Sequence, residues 1–243
     1  MTKIKKDIPA RERLIVALDV PDMHSALSLA DAIGDAAGFY KVGLELFAAG
    51  VGRELIDTLK KRGHRVFADM KLFDVPETVA RATKQVADSG ADFLTVHGND
   101  AIMESAAKAA KESGGELQIL AVTALTSLDD GDLRDLGFKC DARELVLSRA
   151  KRALSLGCGG VVSSGLEVSS LREECGENLI LVTPGVRPVS NRPPDDQKRV
   201  ATPAQIIKDG GDYLVVGRPI RDAEDPRQAA ESLGLEIAAA IAE

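Results

Sequence analysis

The densest chemistry in the chain lies in one run, Asp69-Met70-Lys71-Leu72-Phe73-Asp74-Val75-Pro76-Glu77-Thr78. Side chains two apart on an extended strand face the same way, so Asp69 and Lys71 are expected to project into one space. Each would then keep the other ionised, because an opposite charge within a few ångströms offsets part of the desolvation cost. Asp19 and Lys41 end or ride two earlier apolar runs and supply a second pair of the same kind. A surface ion pair following a strand is the bland reading of a lone Asp-x-Lys, and four charges at three consecutive strand ends weigh against it. Two later segments, Thr183-Pro184-Gly185-Val186-Arg187-Pro188 and Gly217-Arg218-Pro219, place glycine beside arginine. Glycine lets backbone N–H groups approach an anion and arginine adds a bidentate charge, which suits a phosphate, although Gly-Arg-Pro is also an ordinary turn sequence. His24, His64 and His97 lack ligand spacing, no HExxH or carboxylate cluster occurs, and no metal is expected. His97 could line the pocket or be a hydrogen-bonded structural histidine. GxGxxG and Walker A sequences are absent, so dinucleotide and ATP sites lack their fingerprint.

What must position these residues is a series of short apolar runs alternating with amphipathic helical stretches, the pattern of repeated βα units around a parallel sheet. The predicted strands are Leu14–Asp19, Phe39–Gly43, Arg65–Asp69, Phe93–His97, Gln118–Thr123, Gly160–Ser164, Leu179–Thr183 and Tyr213–Gly217. Their nearly continuous apolar cores suit a sheet covered by helices. Helices are predicted over Met23–Ile33, Gly52–Arg62, Pro76–Ser89 and Ala101–Glu112, and Gly63, Gly90, Gly114 and Gly157 each stand before the next strand as stops. Eight units favour an α/β fold of the (β/α)8 TIM-barrel type over a doubly wound sheet, the alternative that strand count leaves open. No linker divides residues 1–243, which read as a single barrel domain. The stretch Gly185–Pro203, with Pro188, Pro193, Pro194 and Pro203, is too long for a routine βα turn and reads as a binding loop or lid.

Composition narrows the partners. A formal charge of −7 and an aromatic content of 3% without tryptophan argue against a nucleic-acid backbone or stacked bases. A few cationic groups focused in one cleft still suit a small anion. Cys140, Cys158 and Cys175 are odd in number without CxxC spacing, and so read as reduced, mainly structural thiols. Met1–Arg13 carries no secretory apolar core and no run approaches the roughly 20 residues of a membrane span, so a cytoplasmic location without membrane contact is expected.

With these residues in hand, Asp69-Met70-Lys71-Leu72-Phe73-Asp74-Val75-Pro76 resembles the DxKxxDIP signature of the orotidine 5'-monophosphate decarboxylase family. Asp19, Lys41, Leu125-Thr126-Ser127, Ser164, Thr183–Pro188, Gln197 and Gly217-Arg218-Pro219-Ile220 follow in the family's order across nearly the whole chain. Val75 stands where isoleucine is usual, and Glu77 fills a variable position.

The resemblance implies a homodimeric barrel that decarboxylates orotidine 5'-monophosphate without metal or cofactor. It implies that Lys71 protonates C6, that Asp69 and Asp74 lie by the substrate carboxylate, and that Lys41 bridges them. Asp74 and Thr78 would be lent to the neighbouring active site. Asp19 and Lys41 would bind the ribose, together with the neighbour's Thr78, and Thr126 would also contact the substrate. Ser164 would read the pyrimidine amide, and Arg187, Gln197, Gly217 and Arg218 would hold the phosphate. The nearest rivals are magnesium-dependent sugar-phosphate enzymes sharing DxKxxD, such as 3-keto-gulonate 6-phosphate decarboxylase. A catalytically silent phosphoribosyl-binding barrel is a third reading, against which the complete Asp69-Lys71-Asp74 set argues.

Overall fold

Apolar strands with no polar face to give to water need cover on both sides, and a sheet closed on itself inside a ring of helices provides it without leaving an edge. In the computed structural model, which describes residues 8–187 and 201–242, the strands are β1 (Leu14–Ala17), β2 (Phe39–Gly43), β3 (Arg65–Leu72), β4 (Phe93–His97), β5 (Gln118–Val122), β6 (Gly160–Val162), β7 (Ile180–Thr183) and β8 (Tyr213–Val216). They pair in parallel in chain order and β8 returns to β1, which closes the barrel and excludes the doubly wound sheet. Several strands end one or two residues sooner than predicted, while β3 runs past Asp69 to Leu72. Gln197, Pro188, Pro193 and Pro194, and with them most of the expected lid, lie outside the described residues.

The helices are α1 (Ala10–Arg13), α2 (Met23–Ile33), α3 (Leu44–Ala48), α4 (Gly52–Lys61), α5 (Pro76–Asp88), α6 (Asp100–Glu112), α7 (Asp130–Asp135), α8 (Ala142–Ser155), α9 (Val168–Cys175), α10 (Pro203–Lys208), α11 (Arg218–Arg221) and α12 (Pro226–Ala242). Local chemistry explains their bounds. Asp22 accepts a hydrogen bond from the Ser25 backbone N–H at the start of α2, and Pro76 opens α5 where its missing N–H costs nothing. The four predicted stop glycines, Gly63, Gly90, Gly114 and Gly157, have φ of 84°, 75°, 68° and 84°, the left-handed region that a Cβ disfavours.

One apolar core fills the space between sheet and helices, and a second fills the barrel itself. Four of the chain's eight aromatic residues, Phe39, Phe67, Phe93 and Tyr213, are in that inner core, with ring centroids 5.1 Å apart for Phe39 and Phe93 and 5.2 Å for Phe93 and Tyr213. At the strands' N-terminal end the Arg65 guanidinium sits 4.3 Å from the Phe39 ring centroid and donates to the Tyr213 hydroxyl at 3.2 Å. Aromatic packing thus occupies the lower barrel, and the polar side chains collect above it, at the C-terminal ends of the strands.

Candidate active site

Period-two alternation on β2, β3 and β4 sets an aromatic residue below and a polar one above: Phe39 then Lys41, Phe67 then Asp69, Phe93 then Thr95. Asp19 follows β1 into the same space. The result is a row of alternating charge. Lys41 Nζ lies 2.8 Å from Asp19 Oδ1 and 3.6 Å from Asp69 Oδ2, and Lys71 Nζ donates to both Asp69 oxygens at 2.9 Å. Lys41 and Asp69 are only 8% and 9% exposed, so the charges hold one another rather than being held by water. Burial pushes the Asp69 carboxyl up, but Lys41, Lys71 and a hydrogen bond from Thr95 outweigh it and hold the group below the ordinary carboxylate range. A side chain at Gly43 would press on this row, since its Cβ would stand 3.0 Å from Lys41 Nζ and 3.1 Å from Asp19 Oδ1.

Asp69 and Lys71 meet as the sequence suggested, but not on regular extended strand. Ala68 pairs with Leu94 and Leu72 with Val96, so Asp69, Met70 and Lys71 stand opposite Thr95 alone. Within that bulge Lys71 has φ 49°, and it is the one non-glycine residue with positive φ among those described.

Beside Asp19 and Lys41 opens a cavity of about 150 Å³ walled by Gly185, Arg187, Gly217 and Arg218, the two segments read as an anion site. Arg187 is buried; its side chain donates to the Val186 carbonyl at 2.9 Å and its backbone N–H to Ala201 at 3.1 Å. Arg221 also lines this cavity and donates to the Asp19 carbonyl at 2.8 Å, a residue the sequence reading missed although it lies one turn beyond Arg218. Thr95 was missed as well. His97 packs against Phe73, ring centroids 4.9 Å apart; its burial, then Arg149 and Lys71, lower its pKa.

The remaining expected residues are spread more widely. Ser164 is fully buried at the end of β6, where its Oγ accepts from the Leu166 N–H at 3.2 Å. Thr126 is half-buried beyond β5. Asp74 is exposed, accepts the Val75 N–H at 2.6 Å and pairs with neither lysine of its own chain among the described residues; Thr78 stands half-buried in the first turn of α5. Among the described residues no group of three or more His, Cys, Asp or Glu side chains is placed to hold a metal ion, and no helix is long and apolar enough to cross a membrane. All three cysteines are free thiols.

Fold and site together define a (β/α)8 barrel whose strand ends join a partly buried lysine–aspartate row to an arginine-lined cavity. The chain belongs to the orotidine 5'-phosphate decarboxylase / HUMPS family, whose model matches residues 12–233. It is 61% identical over 232 residues to an orotidine 5'-phosphate decarboxylase of Methylococcus capsulatus, covering 96% of this chain and 94% of that one. It is 48% identical over 230 residues to an enzyme of the same name from Rhodopseudomonas palustris, with 95% and 96% covered. The crystal structure of orotidine 5'-phosphate decarboxylase from Lactobacillus acidophilus superposes with a TM-score of 0.82 at 36% identity, covering 93% of this chain and 99% of that one.

Proposed function

We propose that this chain, folded as one barrel domain, decarboxylates orotidine 5'-monophosphate to uridine 5'-monophosphate without metal or organic cofactor. The observation that carries the reading is the Lys71 ammonium held by both oxygens of Asp69 at 2.9 Å, in a row that ends beside an arginine-lined cavity. The relatives' names and the family match support it. The C6–carboxylate bond breaks, CO2 leaves, and the electron pair stays on C6, where the pyrimidine delocalises it poorly. Lys71 stabilises that charge as it grows and then delivers a proton to C6, and solvent reprotonates the amine; an ammonium already fixed by hydrogen bonds is the kind of group that gives such stabilisation without reorganising. Asp69 orients Lys71, with Lys41 between Asp69 and Asp19. Asp19 and Lys41 bind the ribose, Thr126 contacts the substrate, Ser164 reads the pyrimidine amide, and Arg187, Gln197, Gly217 and Arg218 hold the phosphate. Binding energy gathered at the phosphate thereby serves a reaction several bonds away.

The reading includes a cytoplasmic homodimer in which Asp74 and Thr78 enter the neighbour's site. Its support is that Asp74 is exposed and makes no ion pair with its own lysines, and that the flanking Phe73 and Val75 are 65% and 62% exposed. The test is the ultraviolet absorbance change of orotidine 5'-monophosphate with purified protein, with and without excess EDTA. Rapid EDTA-insensitive formation of uridine 5'-monophosphate is expected. No conversion, or activity abolished by EDTA and restored by magnesium, moves the protein to the sugar-phosphate side of the family.

A further inference from the structure

We infer that Thr95 is a positioning residue that sets the geometry of Lys71 by holding both its backbone and its carboxylate partner. The inference rests on the proposed decarboxylation for its kinetic readout and on the geometry alone for its structural one. In a regular parallel ladder each residue of β3 would face one of β4, but here three residues of β3 face the single Thr95, and a bulge leaves backbone groups without ladder partners. The Thr95 hydroxyl fills the gap. It accepts the Lys71 backbone N–H at 2.9 Å and donates its own hydrogen to Asp69 Oδ1 at 2.9 Å, a double duty open to a hydroxyl and closed to an aliphatic side chain. Thr95 is fully buried, so bulk water does not compete for these bonds. A lysine at φ 49° is strained, and strain persists only where the surroundings over-determine it. The bonds from Thr95 provide that constraint at both ends of the Asp69–Lys71 pair.

The experiment compares Thr95→Val, isosteric without the hydroxyl, with Thr95→Ser, which restores it, using orotidine 5'-monophosphate as the probe. Thr95→Val is expected to lower kcat about 10- to 100-fold, the scale of an ångström's misplacement of a reacting group. KM should stay within about threefold, since the ribose and phosphate contacts are untouched. The acid limb of the pH profile should move to higher pH, because a hydrogen bond to the ionised Asp69 has been removed. Thr95→Ser should recover most of kcat, and Thr95→Ala carries the same expectation as Thr95→Val should the latter not fold. In crystals of the hydroxyl-free variant Lys71 should leave the left-handed region or its Nζ move beyond about 4 Å from Asp69. The inference is overturned by a kcat within threefold of the unsubstituted enzyme, a loss that serine does not recover, a loss carried by KM, or an unchanged Lys71. An unsubstituted protein that does not turn over this nucleotide would sink the proposed function instead, and the crystallographic comparison would still decide the role of Thr95.

Discussion

At the scale of single residues the proposed reaction asks Lys71 to supply two things at once, a fixed positive charge and a proton. General-acid catalysis alone is worth roughly 10²–10⁴-fold, so under the proposed mechanism Lys71→Ala, which also removes the charge assigned to stabilising the carbanion, should cost more than that in kcat/KM. Steady-state formation of uridine 5'-monophosphate measures the loss, and near-normal turnover would refute the assigned role. The fold should survive the change, because Asp69 keeps Lys41 at 3.6 Å and Thr95 at 2.9 Å. The charges themselves were legible in the sequence, since Asp19, Lys41, Asp69 and Lys71 each sit at or near the end of an apolar run, although strand periodicity aims only the first three and a bulge brings in Lys71. Thr95 was legible in principle, as the middle member of the inward series Phe93, Thr95, His97. It was passed over because a buried threonine in a strand is ordinary until its partners are known. Lys71's positive φ left no trace at all, because nothing in the residue type reports a backbone that its neighbours impose.

Elements were read more securely than the site, and for a physical reason. The eight apolar runs are interrupted by residues that cannot continue them, and the glycines at 63, 90, 114 and 157 mark helix ends because the left-handed stop conformation excludes most side chains. Closure of the barrel depends on contacts between residues far apart in sequence, and these are less visible. Arg172 of α9 illustrates the point: it donates to the carbonyls of Gly176, Leu179 and Gly210 and pairs with Asp212 at 2.9 Å, the two side chains being 3% and 4% exposed. Asp212 in turn accepts the Leu181 N–H, so one buried pair joins α9, the start of β7 and the approach to β8. Arg172→Met takes from that buried carboxylate its guanidinium partner at 2.9 Å, and should lower stability by about 3 kcal/mol in a denaturant titration. The double variant Arg172→Met with Asp212→Leu should recover part of the loss, because it removes the cost of burying a carboxylate that has lost its guanidinium but not the hydrogen bonds that Arg172 gave to the Gly176, Leu179 and Gly210 carbonyls. A single variant as stable as the unsubstituted protein would show that the pair does not brace this junction.

At the scale of the whole molecule, the barrel offers the Asp74 loop to solvent together with the flanking Phe73 and Val75, which are 65% and 62% exposed. Large apolar side chains grouped around a carboxylate fit a surface that a second copy covers, the arrangement proposed above. In a two-fold dimer the residues that one subunit lends are those that it receives, so the exchange has a strict arithmetic. Lys71→Ala and Asp74→Ala should each abolish turnover in a pure homodimer. Mixing the two variants under conditions that allow subunits to exchange forms heterodimers in which one site carries both lesions and the other carries neither. Random exchange makes half the dimers mixed, so activity should return to about a quarter of the unsubstituted level. If Asp74 served its own barrel, every site in every mixture would carry one lesion and no activity would return. Complementation measured against time after mixing therefore reports whether the site is shared and how fast the interface opens. A silent mixture, in a preparation whose exchange is verified by differently tagged subunits, would place Asp74 outside the neighbour's chemistry.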